Sequence, residues 1–403
     1  MDEELIMERL VGTTIRGLRA PIFKAGDDLV QMIPDLLEDF YEREGVEIGQ
    51  KDVVAITESV VARAQDNYAT VDQIAAAINE EFDGDELGVI FPIVSRNRFA
   101  IILKAIARSN AKKIILQLSF PADEVGNHLF SIDQMDEAGI DPWKDSIDEA
   151  KFRELFGESI HEFTGIDYVT HFKEIVEDEG KEFELILANS PLEILNHTKN
   201  VINCDIHSRK RTKRILLNNG AEFVHSQDDI LTKSVNGSGY NEEYGVLGSN
   251  RSSDESVKLF PRDCMTVVKD IQAEVKRRTG KTIEVMVYGD GAFKDPVGKI
   301  WELADPVVSP GYTEGLEGTP NEVKLKYLAD NDFKDLSGKE LTNAITNAIS
   351  SKEESLIGSA ATLGTTPRQI PDLIGSLCDL TSGSGDKGTP IVYIQGYFDN
   401  FTN

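Results

Sequence analysis

The chain predicts an α/β fold with a mainly parallel sheet at its centre, and three observations carry that reading. From about Phe91 to Val235, short apolar runs of strand length alternate with amphipathic stretches of helix length, the pattern of βαβ units. The 403 residues, 40% hydrophobic and 28% charged, suffice for two or three domains with cores of their own. Finally, Val53 to Ile56 form an apolar run that ends in Thr57-Glu58-Ser59. A buried strand followed at its carboxyl end by polar residues is where open α/β sheets bind ligands.

Taken in order, the first segment is TTIRGLRAPIFKAGDDLVQMIPDLLEDFYERE. Pro21 and Gly26 bracket a turn, and Asp27 or Asp28 caps a helix whose apolar positions Leu29, Ile33, Leu36 and Leu37 recur at helical spacing. KDVVAITESVVARAQ is strand, turn and helix, with Ser59 as a cap or a ligand contact. RNRFAIILKAIARSNA reads as an amphipathic helix, and KKIILQLSF, FELILAN and VINCDIH as buried strands. RKRTKRILLNNGAEFV is a helix stopped at Asn219-Gly220. The acidic stretch SIDQMDEAGIDPWKDSIDEAKFRELFGES reads as a surface excursion, and WELADPVVSPGYTEGLEGTPNEVKL as a long surface loop. GKELTNAITNAISSKEESL is helical. A last helix from Pro371 to Leu380 runs into SGSGDKGT and then the strand PIVYIQG.

Seventy acidic residues oppose 42 basic ones, a formal charge of −28. That balance argues against nucleic-acid or anionic-membrane binding, which needs a basic footprint. A polyphosphate ligand would need a local basic pocket or bound cations to offset the global field. Cys204, Cys264 and Cys378 stand far apart with no CxxC pair, and the six histidines show no HExxH spacing. Zinc and disulfides are therefore not expected, and a reducing compartment fits. MDEELIMERL lacks the basic and apolar regions of a signal peptide, and no run approaches 18 apolar residues. The expectation is a soluble, cytoplasmic protein.

The stretch from Gly245 to Gly298 holds most of the candidate chemistry. Asp254-Glu255 and Asp290 with Asp295 sit on Gly/Ser-rich turns at either end of a β-α-β-like pattern. Carboxylates so placed suit a hard cation and the phosphates it carries. Taken singly, Asp254-Glu255 also reads as a helix start and Asp290-Gly291 as a hairpin turn, although AFKDP does not read as a paired strand. SGSGDKGT contains GxGxxG at Gly383, Gly385 and Gly388, but it precedes a strand, which is the wrong context for a dinucleotide fold. Its backbone N–H groups, with Lys387 as a point charge, suit phosphate nonetheless. The basic run His207 to Arg214 reads either as a grip for a substrate's phosphate or carboxylates or as a solvated helix face. Arg96 and Arg98 carry the same two readings.

In order, APIFKAGDDL, DVVAITESVVARA, GVLGSNRSSDES, LFPRDC, VMVYGDGAFKDPVG and DLIGSLCDLTSGSGDKGTPIVYIQG resemble the coenzyme F-420:L-glutamate ligase (γ-glutamyl ligase) family. The resemblance implies a mixed-sheet ligase core formed by residues 1–90 and 236–403, with an inserted α/β (βαβ-type) unit at 91–235. It implies an acid–amino-acid ligase that joins a carboxylate to an amino acid, L-glutamate above all, driven by GTP in preference to ATP, with Mg²⁺ or Mn²⁺ and K⁺ as a further cation. Asp254 and Asp290 would be metal ligands, with Asp386 a third, and Asp254, Asp290 and Arg63 would serve catalysis. Pro21, Ile22, Phe23, Lys24, Glu58, Ser59 and Arg63 would line the nucleotide. The loop of Ser382, Gly383, Ser384, Gly385, Asp386, Lys387 and Gly388 would close over it. Arg96, Arg98, His207 and Arg209, in the inserted unit, are candidate substrate contacts, and a homodimer is implied. The chain departs from the family's pattern at Ser59, Val257 and Gly291. A phosphotransferase or hydrolase using the same acidic turns, and a non-catalytic nucleotide sensor, are the alternatives.

Overall fold

The computed structural model describes residues 10–91, 97–122, 128–160, 165–289, 292–294, 301–303, 307–353, 355–356, 368–382, 385–400 and 402. At 97–98, 292–294 and 301–303 it describes the backbone alone. Strand β1 (Thr14–Leu18) leads through the Pro21 turn into helix α1 (Leu29–Glu44). Asp28 caps α1, its Oδ1 accepting the Val30 and Gln31 N–H groups, and Gly45 ends it at φ 62°. Leu29, Ile33, Leu37 and Phe40 make its buried stripe. Strand β2 (Val53–Thr57) is buried at every residue and passes directly into α2 (Glu58–Ala64), where Thr57 Oγ1 accepts the Val60 N–H. Short β3 (Tyr68–Thr70) and α3 (Val71–Asn79) follow, α3 held by a Thr70–Gln73 capping box.

A six-stranded sheet comes next. Its elements are β4 (Glu86–Phe91), α4 (Asn97–Ala107), β5 (Lys113–Leu118), α5 (Ile132–Glu137), β6 (Ile147–Asp148), α6 (Glu149–Phe156), α7 (Tyr168–Asp178), β7 (Glu182–Leu187), β8 (Asn200–Asn203), α8 (Arg209–Asn218) and β9 (Phe223–Ser226). The order is β6-β7-β5-β4-β8-β9, parallel throughout except for β6 at the edge. Alternate side chains serve opposite faces, as a strand requires. Leu87, Val89 and Phe91 pack with α4 and α7, while Ile90, Ile115 and Ile186 pack with Leu216 of α8 and Ile194. At Gly88 a Cβ would lie 2.6 Å from Ile194 Cγ1, so only glycine admits that close approach. The acidic stretch after Phe130 is not a surface excursion. Its Met135, Ile147 and Phe152 are core residues, and it supplies α5, β6 and α6. Charged residues on the outer face mask the sparse apolar ones that anchor it.

The chain then forms β10 (Asn250–Ser253), β11 (Ser256–Lys258), α9 (Cys264–Thr279), β12 (Glu284–Tyr288), β13 (Ala292–Lys294), β14 (Trp301–Leu303) and β15 (Gly311–Tyr312). Helices α10 (Leu325–Tyr327), α11 (Gly338–Ser350) and α12 (Ile370–Thr381) and strand β16 (Ile391–Gln395) complete it. The second sheet is mixed, in the order β1-β16-β2-β12-β15, and only β2 and β12 run parallel in it. Helices α1 and α9 cover one face and α12 the other.

Three readings change here. The Gly245 region is not β-α-β in one sheet, because β10 and β11 form a hairpin that pairs with β3 while β12 joins the mixed sheet. AFK does pair, antiparallel with Trp301–Leu303. The presumed surface loop after Trp301 contributes β15, and Thr313 and Leu316 are buried behind it. A Cβ at Gly311 would lie 2.6 Å from the backbone carbon of Cys264, so the bare glycine lets β15 reach α9. No helix among the described residues is long and apolar enough to cross a membrane.

Candidate active site

The carboxyl ends of β2 and β12, the one parallel pair of the mixed sheet, open on a cavity of about 670 Å³. Strands deliver residues here by direction alone, since side chains just beyond a parallel pair converge on the crevice there. β2 contributes Thr57 and, through the first turns of α2, Glu58, Ser59 and Arg63. β12 contributes Tyr288 and Gly289. The β10–β11 hairpin forms a wall with Asn250, Arg251, Ser252 and Lys258, and the end of α12 closes it with Asp379, Ser382 and Gly385.

The hairpin is locked to the floor by a buried ion pair. Lys258 Nζ lies 2.8 and 2.9 Å from the two Glu58 oxygens, and the side chains are 9% and 8% exposed. Asn250 Nδ2 donates a further hydrogen bond to Glu58 Oε1 at 3.3 Å. Across the cavity the Tyr288 hydroxyl donates to Ser382 Oγ at 2.6 Å, which ties β12 to the glycine-rich loop. The hairpin's base is fixed from beneath by Asn67, which is fully buried. Its Nδ2 donates to the Phe260 carbonyl at 2.8 Å and its Oδ1 accepts from Arg262 at 2.6 Å.

Of the residues expected at the nucleotide, the cavity brings together Glu58, Ser59, Arg63, Ser382 and Gly385. Pro21, Ile22 and Lys24 are exposed on the turn before α1, and Phe23 is buried with Leu18 and Leu29. They border the site instead of lining it. The Ala20 N–H donates to the Gly388 carbonyl at 3.2 Å and the Gly26 N–H to Ala64 at 2.9 Å, so the turn is strung between the glycine loop and the end of α2. Asp386 and Lys387 are exposed and off the cavity wall. Gly383, Ser384, Asp290 and Arg96 lie outside the described residues, and Arg98 has its backbone alone described, in α4. His207 and Arg209 lie at the start of α8 in the other sheet, where Arg209 pairs with Asp228 at 2.8 Å.

Asp254 and Glu255 are the two-residue turn of the hairpin. Asp254 is 85% exposed and pairs with Arg251, whereas Glu255 takes Arg108 at 2.6 Å and also Lys104. The Arg108 and Lys104 cations hold the Glu255 carboxyl at about 2. No group of three or more metal-ligating side chains occurs among the described residues. The cavity's own carboxylates are Glu58 and Asp379, its cations Arg63, Arg251 and Lys258. Sequence reasoning passed over Lys258, Asn250, Tyr288 and Asp379. Lys258 alternates with Val257 along β11 and so reads as a solvent-face residue, and Asp379 reads as the polar side of an amphipathic helix.

Comparison with protein families matches residues 17–396 to F420-0:Gamma-glutamyl ligase. The chain belongs to that family. No curated protein matches it. As a member of the F420-0:gamma-glutamyl ligase family it is a ligase, forming the carbon–nitrogen bond of an amide with glutamate. The cavity wall carries three cations and two carboxylates, with Lys258 paired to Glu58 and Arg251 to Asp254 on the hairpin turn, in a chain whose formal charge is −28.

Proposed function

We propose that this ligase activates its acceptor carboxylate with a nucleoside triphosphate, GTP in preference to ATP, in the cavity at the ends of β2 and β12. Arg63, on the cavity wall and in no ion pair among the described residues, supports this most, because a polyphosphate in so acidic a chain needs a local cation. An acceptor carboxylate oxygen attacks the γ-phosphorus and the nucleoside diphosphate leaves. The free amine of glutamate then attacks the acyl carbon, phosphate leaves and carries off one proton from the nitrogen, and the amide keeps its single N–H. Such chemistry asks the protein for positioning and charge neutralisation more than for a nucleophile.

In this reading Arg63 and Lys258 face the phosphates, and Glu58 holds Lys258 in place while denying it to solvent. Ser59, Ser382 and Gly385 offer hydroxyl and backbone donors to phosphate oxygens. Lys24 and Lys387, on the two segments joined through Ala20 and Gly388, add charge as those segments close. Asp290 is proposed to hold Mg²⁺ or Mn²⁺, joined by Asp254 only if that side chain leaves its exposed pair with Arg251, and the bound cation would neutralise phosphate charge. The acceptor is proposed to be F420-0. Asp290→Asn and Arg63→Ala, each checked by circular dichroism, are expected to lower glutamate-dependent nucleotide cleavage about a hundredfold or more. Turnover undiminished in both would overturn the assignment, and cleavage without any need for glutamate would favour a hydrolase.

A further inference from the structure

The six-stranded sheet has its own crevice. From β4 the chain runs outward through β5 to β7, then returns to β8 on the other side of β4 and on to β9. The strand order therefore reverses between β4 and β8, and in such sheets ligands bind beyond the carboxyl ends at that point. A cleft of about 100 Å³ lies there, bounded by Ile90 of β4, Gln117 of β5 and Ser119 just after it, Ala188 after β7 and Asp205 after β8. None of its residues belongs to the cavity of the ligase site.

Gln117 shows that the cleft is built for something. It is 2% exposed, and its Nε2 donates to the carbonyls of Ala188 and Ser190 at 3.0 and 2.9 Å. Those two acceptors fix which way round the amide stands, because reversing it would set oxygen against oxygen. Its Oε1 is buried and has no partner among the described residues. Leaving a buried acceptor unpaired is costly, so the cleft is poised for a ligand that brings a donor. Beside it Asp205, 3% exposed, accepts the Ser208 N–H at 2.8 Å and the Thr212 hydroxyl at 3.0 Å, one bond to each oxygen. Each carboxylate oxygen keeps a lone pair to spare.

Next to these acceptors the start of α8 brings a cation to the same cleft. Ser208 stands at the N-terminus of α8 without a side-chain cap bond, and exposed Arg211 on its first turn makes no ion pair among the described residues. The cleft thus offers acceptors to a charged donor and a guanidinium to an anion. At 10–15 Å³ for each water-sized group, the volume admits about eight such groups. That is the size of an amino acid and far short of a nucleotide.

We propose that this cleft binds a free α-amino acid, its ammonium on Gln117 Oε1 and Asp205 and its carboxylate on Arg211 and the start of α8. The site is separate from the ligase cavity and does not depend on the reaction proposed there. Calorimetry of the full chain, without nucleotide, with glycine, L-serine and L-glutamate tests it. Saturable binding of at least one is expected, weakened about tenfold or more in Arg211→Ala and in Asp205→Asn, and unchanged in Arg63→Ala. Arg211 is exposed, so its variant folds even if Asp205→Asn does not, and melting temperatures verify both. The proposal fails if none of the three binds, if binding survives Arg211→Ala, or if it is lost in Arg63→Ala instead. Binding of AMP or inorganic phosphate alone, lost in Arg211→Ala, also overturns it.

Discussion

Replacing Glu58 with Gln strands a buried cation, and the size of the effect follows from the pair's geometry. Lys258 Nζ sits 2.8 and 2.9 Å from the two Glu58 oxygens, with both side chains under a tenth exposed. At an effective dielectric of about 20, charges about 2.8 Å apart attract by roughly 6 kcal/mol. Loss of hydration offsets much of that attraction, so the pair as a whole adds little. Removing one partner is different, because the other stays buried and unpaired. Glu58→Gln and Lys258→Met are each expected to destabilise the fold by about 3–5 kcal/mol. The double variant should recover most of the loss, since no charge is left buried. Urea denaturation of the four proteins, treated as a double-mutant cycle, measures the coupling. Single losses below about 1 kcal/mol, or a double variant equal to their sum, would refute a buried and coupled pair.

Two further outcomes follow from named contacts. Asp167 is half-buried, which pushes its carboxyl up, but the Arg153 guanidinium and the N–H groups of Thr170 and Ser159 outweigh burial and bring it to about 2. Its folded value is below the unfolded value of about 3.9, so its stabilisation is present above about pH 4 and is lost as pH falls toward 2. Asp167→Asn should flatten that part of the stability–pH curve, measured by denaturation at stepped pH, and an unchanged slope would contradict the assignment. Tyr288→Phe removes the 2.6 Å bond to Ser382. A net loss of about 0.5–1.5 kcal/mol predicts a two- to tenfold rise in nucleotide KM, with a smaller change in kcat. Steady-state kinetics that show a fall in kcat alone would place the bond elsewhere in the cycle.

Long periodic elements were legible from residues alone. The stripe Leu29, Ile33 and Leu37 after a capping Asp28, the apolar run from Val53, and the stop at Asn219-Gly220 each carry a local signal that packing then follows. Short elements carried none. A two-residue strand such as Gly311–Tyr312 has no period to read, and its pairing with β12 rests on a glycine that looks like a loop residue. The stretch holding Met135, Ile147 and Phe152 reads as surface because three buried residues scattered among many acids do not register as a core face. In the site, Glu58, Ser59 and Arg63 were legible because they follow a recognisable strand. Lys258 was not, since its partner Glu58 lies 200 residues away and only the pairing of β11 with β3 brings them together. Asp254 drew attention as an acid on a turn, and that turn is a hairpin whose strand lines the cavity while Asp254 itself pairs with Arg251.

The central claim, that the cavity between β2, β12 and the hairpin joins glutamate to a carboxylate at the expense of a nucleotide, has one direct measurement. The protein is incubated with F420-0, ¹⁵N-labelled L-glutamate, GTP and Mg²⁺, and the products are followed by mass spectrometry. A mass gain of one labelled glutamyl residue, with one GDP and one phosphate released per amide and all three lost together in Arg63→Ala, is the predicted result. GDP release with no labelled product, or amide formation that persists in Arg63→Ala, would contradict it.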